Sequence, residues 1–150
     1  MSAVAASTAI DISPIARFKA FYRDLDMDRL GELGDFYADD VIFCDPVGQV
    51  NGLREVHRYF SRLCANLDYC RFHYEAELVN GSNAVIVWNM EYAHPRLAGG
   101  KPLTLPGVTH LVVGEKIVMH RDYFDLGAMC YEHLPLFGHV TKVVKKQLGH

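Results

Sequence analysis

The chain has 150 residues, of which 50% are hydrophobic and 22% are charged, and its formal net charge is −3. These values are typical of one globular domain that is long enough to bury most of its apolar surface without a disulfide or a metal. The negative net charge excludes a general nucleic-acid binder, which would carry a basic face. No run approaches the roughly 18 apolar residues that a membrane-spanning helix needs.

The cysteines and the N-terminus bear on the compartment. Cys44, Cys64, Cys70 and Cys130 lie in apolar stretches without Cys-x-x-Cys spacing. This placement favours buried free thiols in a reducing compartment over a disulfide. Residues 1–12 are rich in alanine but lack the basic start and the apolar length of a signal peptide. We therefore expect a flexible tail over residues 1–12 of a cytoplasmic protein.

The first part of the chain predicts three helices and one short strand. Ser13 is a capping residue followed by Pro14 at the first helical position, which begins the first helix. Asp28 is placed to cap a second, shorter helix, Val41 to Cys44 form a strand, and Asn51-Gly52 opens the third helix. Apolar residues recur at helical spacing in these helices: Ile15, Phe18, Phe21, Tyr22 and Leu25, then Leu30, Leu33, Phe36 and Tyr37, then Val56, Tyr59, Phe60 and Leu63.

From residue 69 onward the period changes from helical to two, which predicts a mostly antiparallel meander. Alternation gives one strand with Cys70, Phe72, Tyr74, Ala76 and Leu78 on its apolar face. The next strand covers residues 84–93, and residues 94–106 form a loop and the irregular start of a strand. Residues 108–113 and 117–125 form a hairpin. Three helices followed by such a meander indicate an α+β layer fold over residues 13–134, with the helices covering one face of a curved sheet. Residues 135–150 are expected to form an amphipathic helical tail.

Three acidic side chains lie among apolar and aromatic residues of the predicted strands. Asp45 follows the apolar run Val41-Ile42-Phe43, Glu91 lies in the strand over residues 84–93, and Asp122 lies in the last strand. An ionised carboxylate in such surroundings is costly unless a partner satisfies it or a reaction uses it. The three acids therefore suggest a pocket that carries out proton chemistry.

The order of these elements resembles the nuclear transport factor 2-like superfamily over Ser13 to His133. This superfamily of cone-shaped α+β domains includes ketosteroid isomerases, limonene-epoxide hydrolases and polyketide cyclases of the SnoaL type. The resemblance implies a curved, mostly antiparallel sheet covered by three N-terminal helices. It also implies a homodimer, because sheet faces in this superfamily often pair.

Residues 37–48 resemble the ketosteroid isomerase segment that carries the general base. In that family a carboxylate base moves a proton between two carbons, and a tyrosine and a protonated aspartate stabilise the oxyanion. By resemblance Asp45 matches the base, and the second donor position falls on His110. The tyrosine position falls on Phe21, with Tyr22 one residue away, and Phe124 replaces a pocket aromatic.

The last strand resembles the limonene-epoxide hydrolase strand that carries a catalytic aspartate, which matches Asp122. That family activates water with an Asp-Arg-Asp network. Glu91 falls at the position of its second aspartate and Asn89 at the position of its arginine. The polyketide cyclases also place an acid-base aspartate in this strand, so Asp122 fits them equally well.

The remaining candidates follow from strand faces. His120 and Phe124 share a face with Asp122. His110 would share that face if residues 113 and 117 pair across the turn, whereas a two-residue turn would reverse it. Tyr22 and Tyr59 are candidate phenol donors to the pocket, while Trp88, on the opposite face from Asn89, is expected to serve packing. His120 and Asp122 are the one pair worth naming as metal ligands, and we expect neither metal nor cofactor.

These observations predict a cofactor-independent acid-base enzyme that acts on a small, mostly apolar, oxygenated substrate. Isomerisation, cyclisation and epoxide hydrolysis all fit, with Asp122, Asp45, Glu91 and His110 as catalytic candidates. The alternative is a non-catalytic ligand-binding or dimeric scaffolding domain of the same fold.

The C-terminal segment over residues 136–148 combines an apolar stripe with flanking lysines. We expect it to dock on its own domain or on a dimer mate. Weak contact with a membrane surface is the alternative.

Overall fold

The computed structural model describes residues 13–129 and 135–149, so the tail expected over residues 1–12 lies outside the described part of the chain. Helices α1 and α2 cover Pro14–Arg23 and Leu33–Phe36 and are separated by a 3-10 helix over Met27–Glu32. Helix α3 covers Leu53–Asn66, and a short 3-10 turn follows later at Ala98–Gly100. Helices α4 and α5 close the chain over Leu126–Met129 and Pro135–Gln147.

Within the described residues, six strands form one sheet. They are β1 (Tyr37–Asp45), β2 (Gly48–Asn51), β3 (Tyr69–Asn80), β4 (Asn83–Ala93), β5 (Leu103–Val113) and β6 (Ile117–Tyr123). Their order is β2-β1-β6-β5-β4-β3, and every pairing is antiparallel except that between β1 and β6. The chain thus returns from the meander to place its last strand beside its first long one.

The helix starts follow local chemistry. Ser13 caps α1 as predicted, since its Oγ accepts from the Ala16 N–H at 3.2 Å. The expectation for the second helix was wrong in two respects. Its cap is Asp26, whose Oδ1 accepts from the Asp28 N–H at 2.9 Å, and helix ends before Tyr37, which begins β1. Gly52 begins α3 at a φ of +89°, a conformation that glycine adopts without steric cost.

The core lies between the helices and the inner face of the sheet, which confirms the predicted α+β architecture. Aromatic residues of α1 and α2 pack edge-on against one another and against strand residues. Alternate residues of β4 complete the core from the sheet side. The largest fully buried side chains include Phe21, Leu33, Phe36, Tyr37, Ile86, Trp88, Tyr92, Leu105, Leu111 and His120.

A β-bulge in β3 reverses which of its side chains face the core. Tyr74 pairs with Trp88 but Ala76 pairs with Val87, so Glu75 is an extra residue in the ladder. Beyond the bulge the side chains exchange faces, because a one-residue slip reverses the alternation. The expectation that Leu78 shares the inner face with Phe72 was therefore wrong: Leu78 is 68% exposed.

The C-terminal helix lies close to its predicted position, over Pro135–Gln147. Its described apolar residues Val140, Val143 and Val144 are exposed, as is Leu148 beyond its end. The side chains of residues 136 and 137 lie outside the described part, so docking of this segment on a domain, a mate or a membrane surface stays a prediction. Across the described residues, no helix has both the length and the apolar character to cross a bilayer.

The described cysteines correct part of the expectation about burial. Cys44, Cys64 and Cys70 carry free thiols, but only Cys70 is buried. Cys130 lies outside the described residues.

Candidate active site

An apolar cavity of about 50 Å³ opens between the helices and the inner face of the sheet. Two carboxylates, Asp45 and Asp122, reach it. The other lining residues are almost all apolar or aromatic: Tyr22, Leu25, Phe43, Tyr59, Phe60, Leu63, Leu67, Cys70, Phe72, Trp88, Met90, Tyr92, Phe124 and Met129.

The register of the β5–β6 hairpin brings Asp122 to this cavity beside Thr109. Val113 pairs with Ile117, but Val112 pairs with Met119, so Val118 is an extra residue. This bulge shifts the ladder by one residue and places Thr109 directly opposite Asp122. Asp122 retains 13% side-chain exposure.

Two donors hold one oxygen of Asp122. The Thr109 hydroxyl lies 2.5 Å from Oδ1 and the His120 Nε2 lies 2.6 Å from the same atom. Trp88 Nε1 donates to Thr109 Oγ1 at 2.8 Å. Because an indole N–H only donates, Thr109 accepts from Trp88 and turns its own proton toward the carboxylate. Oδ2 of Asp122 has no hydrogen bond to any residue of the described chain and is the oxygen left for a ligand.

His120 is the end of a buried hydrogen-bonded series that continues through Tyr37 to Tyr22. Its Nδ1 lies 2.5 Å from the Tyr37 hydroxyl, which lies 2.8 Å from the Tyr22 hydroxyl. If Nε2 donates to the carboxylate, Nδ1 accepts from Tyr37, and Tyr37 in turn accepts from Tyr22. Burial raises the pKa of both phenols well above the ordinary value, which keeps both protons in place. The network therefore fixes the imidazole and, through it, the carboxylate.

Asp45 is held differently. Its Oδ1 accepts from the backbone N–H groups of Val47 and Gly48 at 2.8 and 3.1 Å, and its Oδ2 accepts from the Tyr59 hydroxyl. Burial, followed by the hydrogen bond to Asp45, raises the pKa of Tyr59. Both oxygens are thus engaged in shaping the β1–β2 turn and in fixing a cavity wall.

The two carboxylates occupy corresponding positions on neighbouring parallel strands. Cys44 of β1 pairs with Arg121 of β6, which puts Asp45 and Asp122 one residue further along each strand. Both therefore reach the same end of the cavity, one with satisfied oxygens and the other with a free one.

Three predicted site residues lie on the outer face of the sheet, away from the cavity. Glu91 and Asn89 lie on the outer face of β4, while Trp88 and Met90 take the inner face. His110 also lies on the outer face, where its Nε2 is 2.8 Å from Asn83 Oδ1. Residues 113 and 117 do pair, as the prediction for His110 required. The bulge at Val118 nevertheless shifts the register, so His110 pairs with Arg121 and faces outward.

The other candidates are placed as follows. Asp122, Asp45, Tyr22, Tyr59 and Phe124 line the cavity. His120 is buried behind Asp122. An Asp-Arg-Asp network like that of epoxide hydrolases is not assembled, because both of its remaining counterparts point away.

Sequence reasoning missed Thr109, Tyr37 and the role of Trp88. A threonine in an otherwise apolar strand was a weak signal for Thr109, and an indole N–H that must find an acceptor was one for Trp88. Tyr37 was assigned to a helix and so could not be placed against His120. The described residues contain no group of three or more His, Cys, Asp or Glu side chains that could hold a metal.

The comparisons with known proteins agree with this fold. The pattern of the SnoaL-like domain matches residues 18–120, and the chain belongs to this family. No curated protein matches the chain in sequence.

Several solved structures share the fold of this chain at low sequence identity. A protein of ketosteroid isomerase-like fold from Catenulispora acidiphila, in complex with trimethylamine, has a TM-score of 0.66 at 19% identity and covers 77% of this chain and 87% of its own. TerC, co-crystallised with polyporic acid, has a TM-score of 0.67 at 19% identity and covers 77% of this chain and 92% of its own. A protein from Jannaschia sp. described as a SnoaL-like polyketide cyclase has a TM-score of 0.64 at 15% identity and covers 79% of this chain and 91% of its own. At these identities the likeness concerns the fold.

Proposed function

We propose that this protein is a cofactor-independent acid-base enzyme of the cyclase type, with Asp122 as its single acid-base residue. The observation that carries the proposal is the arrangement of Asp122. Two donors fix Oδ1 and none occupies Oδ2, in a cavity whose other walls are almost wholly apolar. Membership of the SnoaL-like family, which by resemblance includes cyclases with an acid-base aspartate in this strand, supports it.

The chemistry follows from the donors at hand. Oδ2 of Asp122 takes a proton from a carbon beside a carbonyl group, and the electron pair of the broken C–H bond becomes an enolate. The enolate carbon attacks a second carbonyl carbon of the same molecule and closes a ring. The new alkoxide then takes back the proton from Asp122, so the carboxylate is regenerated and no other reactant is needed.

The phenols at the cavity are already engaged, unlike the donor tyrosine of the ketosteroid isomerases. Tyr22 donates to Tyr37 when His120 is in the tautomer that donates to Asp122, and Tyr59 donates to Asp45. Neither phenol is then free to donate to an enolate oxygen. The proposed reaction therefore depends on one well-placed carboxylate in a dry cavity.

The test uses linear diketones that can close to a ring, with chromatographic separation of cyclic and open-chain species. Wild-type protein should accelerate ring closure for at least one member. Asp122→Asn should lose about 10²–10⁴-fold of that rate, the usual value of general acid-base assistance. Asp40→Asn, an exposed acid on β1, is the matched control and should keep the rate. The proposal would be contradicted if the wild-type protein bound diketones of the panel but closed none of them to a ring.

A dimeric scaffold is the second candidate, and the outer face of the sheet supports it. Asn89 Oδ1 is buried there without a hydrogen-bond partner in the described chain, a costly state that a local rearrangement against a donor on a second copy would relieve. Val87 and its ladder partner Val108 follow Asn89 on the same face, with Val85 two residues beyond Val87. Light scattering should give a dimer that Val87→Asp dissociates, with Val118→Asp, near the bulge of β6, as a control; a monomeric wild type would contradict this candidate.

A further inference from the structure

A second concavity, of about 320 Å³, lies outside the cavity on the surface of α3. We call it the outer groove. One stripe of α3 forms its wall, at the helical spacing of residues 55, 58, 59, 62, 63 and 66, and the β1–β2 region and α4 complete it. Its lining is Val47, Val50, Glu55, Arg58, Tyr59, Arg62, Leu63, Asn66 and Met129.

The outer groove and the cavity share three residues. Tyr59, Leu63 and Met129 line both spaces and separate them. The Tyr92 hydroxyl lies 2.5 Å from the Met129 carbonyl oxygen, and this contact fixes the Met129 backbone. The unbranched side chain of Met129 can still change rotamer. A change of the Met129 rotamer would connect the groove with the cavity of about 50 Å³ and admit a ligand too long for the cavity alone.

The charge of the groove is positive. Glu55 forms an ion pair with Arg58, with 3.2 Å between Oε1 and Nη1, so these two charges cancel. The Arg62 guanidinium forms no ion pair or side-chain hydrogen bond within the described part of the chain, and Asn66 contacts only its carbonyl oxygen. Arg62 is thus the unpaired cation of a groove whose lining also includes the apolar side chains of Val47, Val50 and Leu63.

We infer that the outer groove binds the carboxylate of an elongated ligand whose apolar end enters the cavity, with Arg62 as the recognising residue. A guanidinium offers two parallel N–H donors that match a carboxylate, whereas an uncharged polar end gains no charge-assisted hydrogen bond from this exposed cation. The inference rests on the proposed function in one respect only, namely that the ligand of the cavity is its substrate. It adds the substrate class: a mostly apolar acid whose carbonyl groups lie in the part of the molecule that enters the cavity.

The experiment compares octanoate with octanol, two probes of equal chain length that differ in the charged end. Binding is followed by NMR shifts of the methyl groups of Val47, Val50 and Met129. Octanoate should bind wild-type protein more tightly. Arg62→Gln should weaken octanoate by about three- to fivefold, the scale of an exposed ion pair, and leave octanol unchanged. Added salt should reduce the difference.

Arg54→Gln removes an exposed cation from the same helix outside the groove and should leave both affinities unchanged. Equal affinities of octanoate and octanol for the wild type would overturn the inference. So would an equal loss in Arg62→Gln and Arg54→Gln, because long-range attraction would then suffice. Since binding is measured without turnover, failure here is distinct from loss of ring closure, which tests Asp122.

Discussion

Thr109 lies directly opposite Asp122 in the β5–β6 ladder, and its hydroxyl meets Oδ1 of the carboxylate at 2.5 Å. The relationship depends on the single extra residue Val118, without which Thr109 would face Arg121. It links the one tryptophan of the chain to the candidate base, because Trp88 fixes the direction in which Thr109 donates.

Removal of the Thr109 hydroxyl should therefore take a hydrogen bond from both Trp88 and Asp122. Thr109→Val keeps the shape but leaves the Trp88 N–H buried without an acceptor. We expect a loss of about 1–3 kcal/mol in the free energy of unfolding, measured by urea denaturation, and a shift of tryptophan emission. Thr109→Ser, which restores the hydroxyl, should recover most of both; an unchanged emission in Thr109→Val would contradict the contact.

Gly107 is expected to be intolerant of any side chain. It pairs with Trp88 across β4 and β5, and a Cβ at this position would lie 2.5 and 2.6 Å from ring carbons Cζ2 and Cζ3 of Trp88. Gly107→Ala should displace the indole and lower stability by about 1–3 kcal/mol, as overpacking does. Gly31→Ala has open space around the new Cβ and serves as the control in the same denaturation series. Equal stabilities of the two variants would contradict the close approach.

The protein should lose stability in alkaline solution. Burial raises the pKa of Cys70 from 9.0 to about 12, and burial also raises those of Tyr22 and Tyr37. The folded state therefore keeps protons that the unfolded state releases above about pH 9 to 10, so the stability is complete below that range and falls as pH rises. Each such group steepens the fall by about 1.4 kcal/mol per pH unit.

Two measurements check this behaviour. Urea denaturation should show the fall in stability between about pH 9 and pH 12. Tyrosinate absorbance should show that Tyr22, Tyr37, Tyr59 and Tyr74, out of eight tyrosines, ionise only with unfolding. Ionisation of all eight in a single early step, with the fold intact, would contradict their burial.

Asp45 should prove structural. Asp45→Asn retains an oxygen for the backbone N–H groups of Val47 and Gly48 but weakens the acceptor for Tyr59. We expect a modest loss of stability and retention of most ring-closing activity. Kinetics of this variant beside Asp122→Asn distinguish the roles, and a loss as large as that of Asp122→Asn would make Asp45 a second catalytic residue.

The order of elements and the position of Asp122 could be predicted because they depend on periodicity along one segment. Ser13 before Pro14 marks the start of α1, and the alternation around His120, Asp122 and Phe124 marks an inward strand face. Membership of the SnoaL-like family and the α+β architecture confirmed the predicted order of elements, and Asp122 lines the cavity.

The faces of single residues could not be predicted where a bulge intervenes. Glu75 and Val118 each add one residue to a ladder, and nothing in their side chains distinguishes them from their neighbours. Leu78 and His110 were consequently assigned to the wrong face. Strand β4 carries apolar residues on both faces, so its sequence does not show which face is buried. We assigned Asn89 and Glu91 to the inner face because their polar groups suggested a site. In the structure Trp88 and Met90 pack there instead.

The measurement that tests the central claim most directly is the exchange of the proton that Asp122 is proposed to remove. An enolisable diketone is incubated in heavy water with wild-type protein, Asp122→Asn or Asp40→Asn, and deuterium at the carbon beside the carbonyl is followed by NMR. We predict protein-dependent exchange in wild type and Asp40→Asn, and its loss by about 10²–10⁴-fold in Asp122→Asn. Exchange at the wild-type rate in folded Asp122→Asn would contradict the role of this carboxylate.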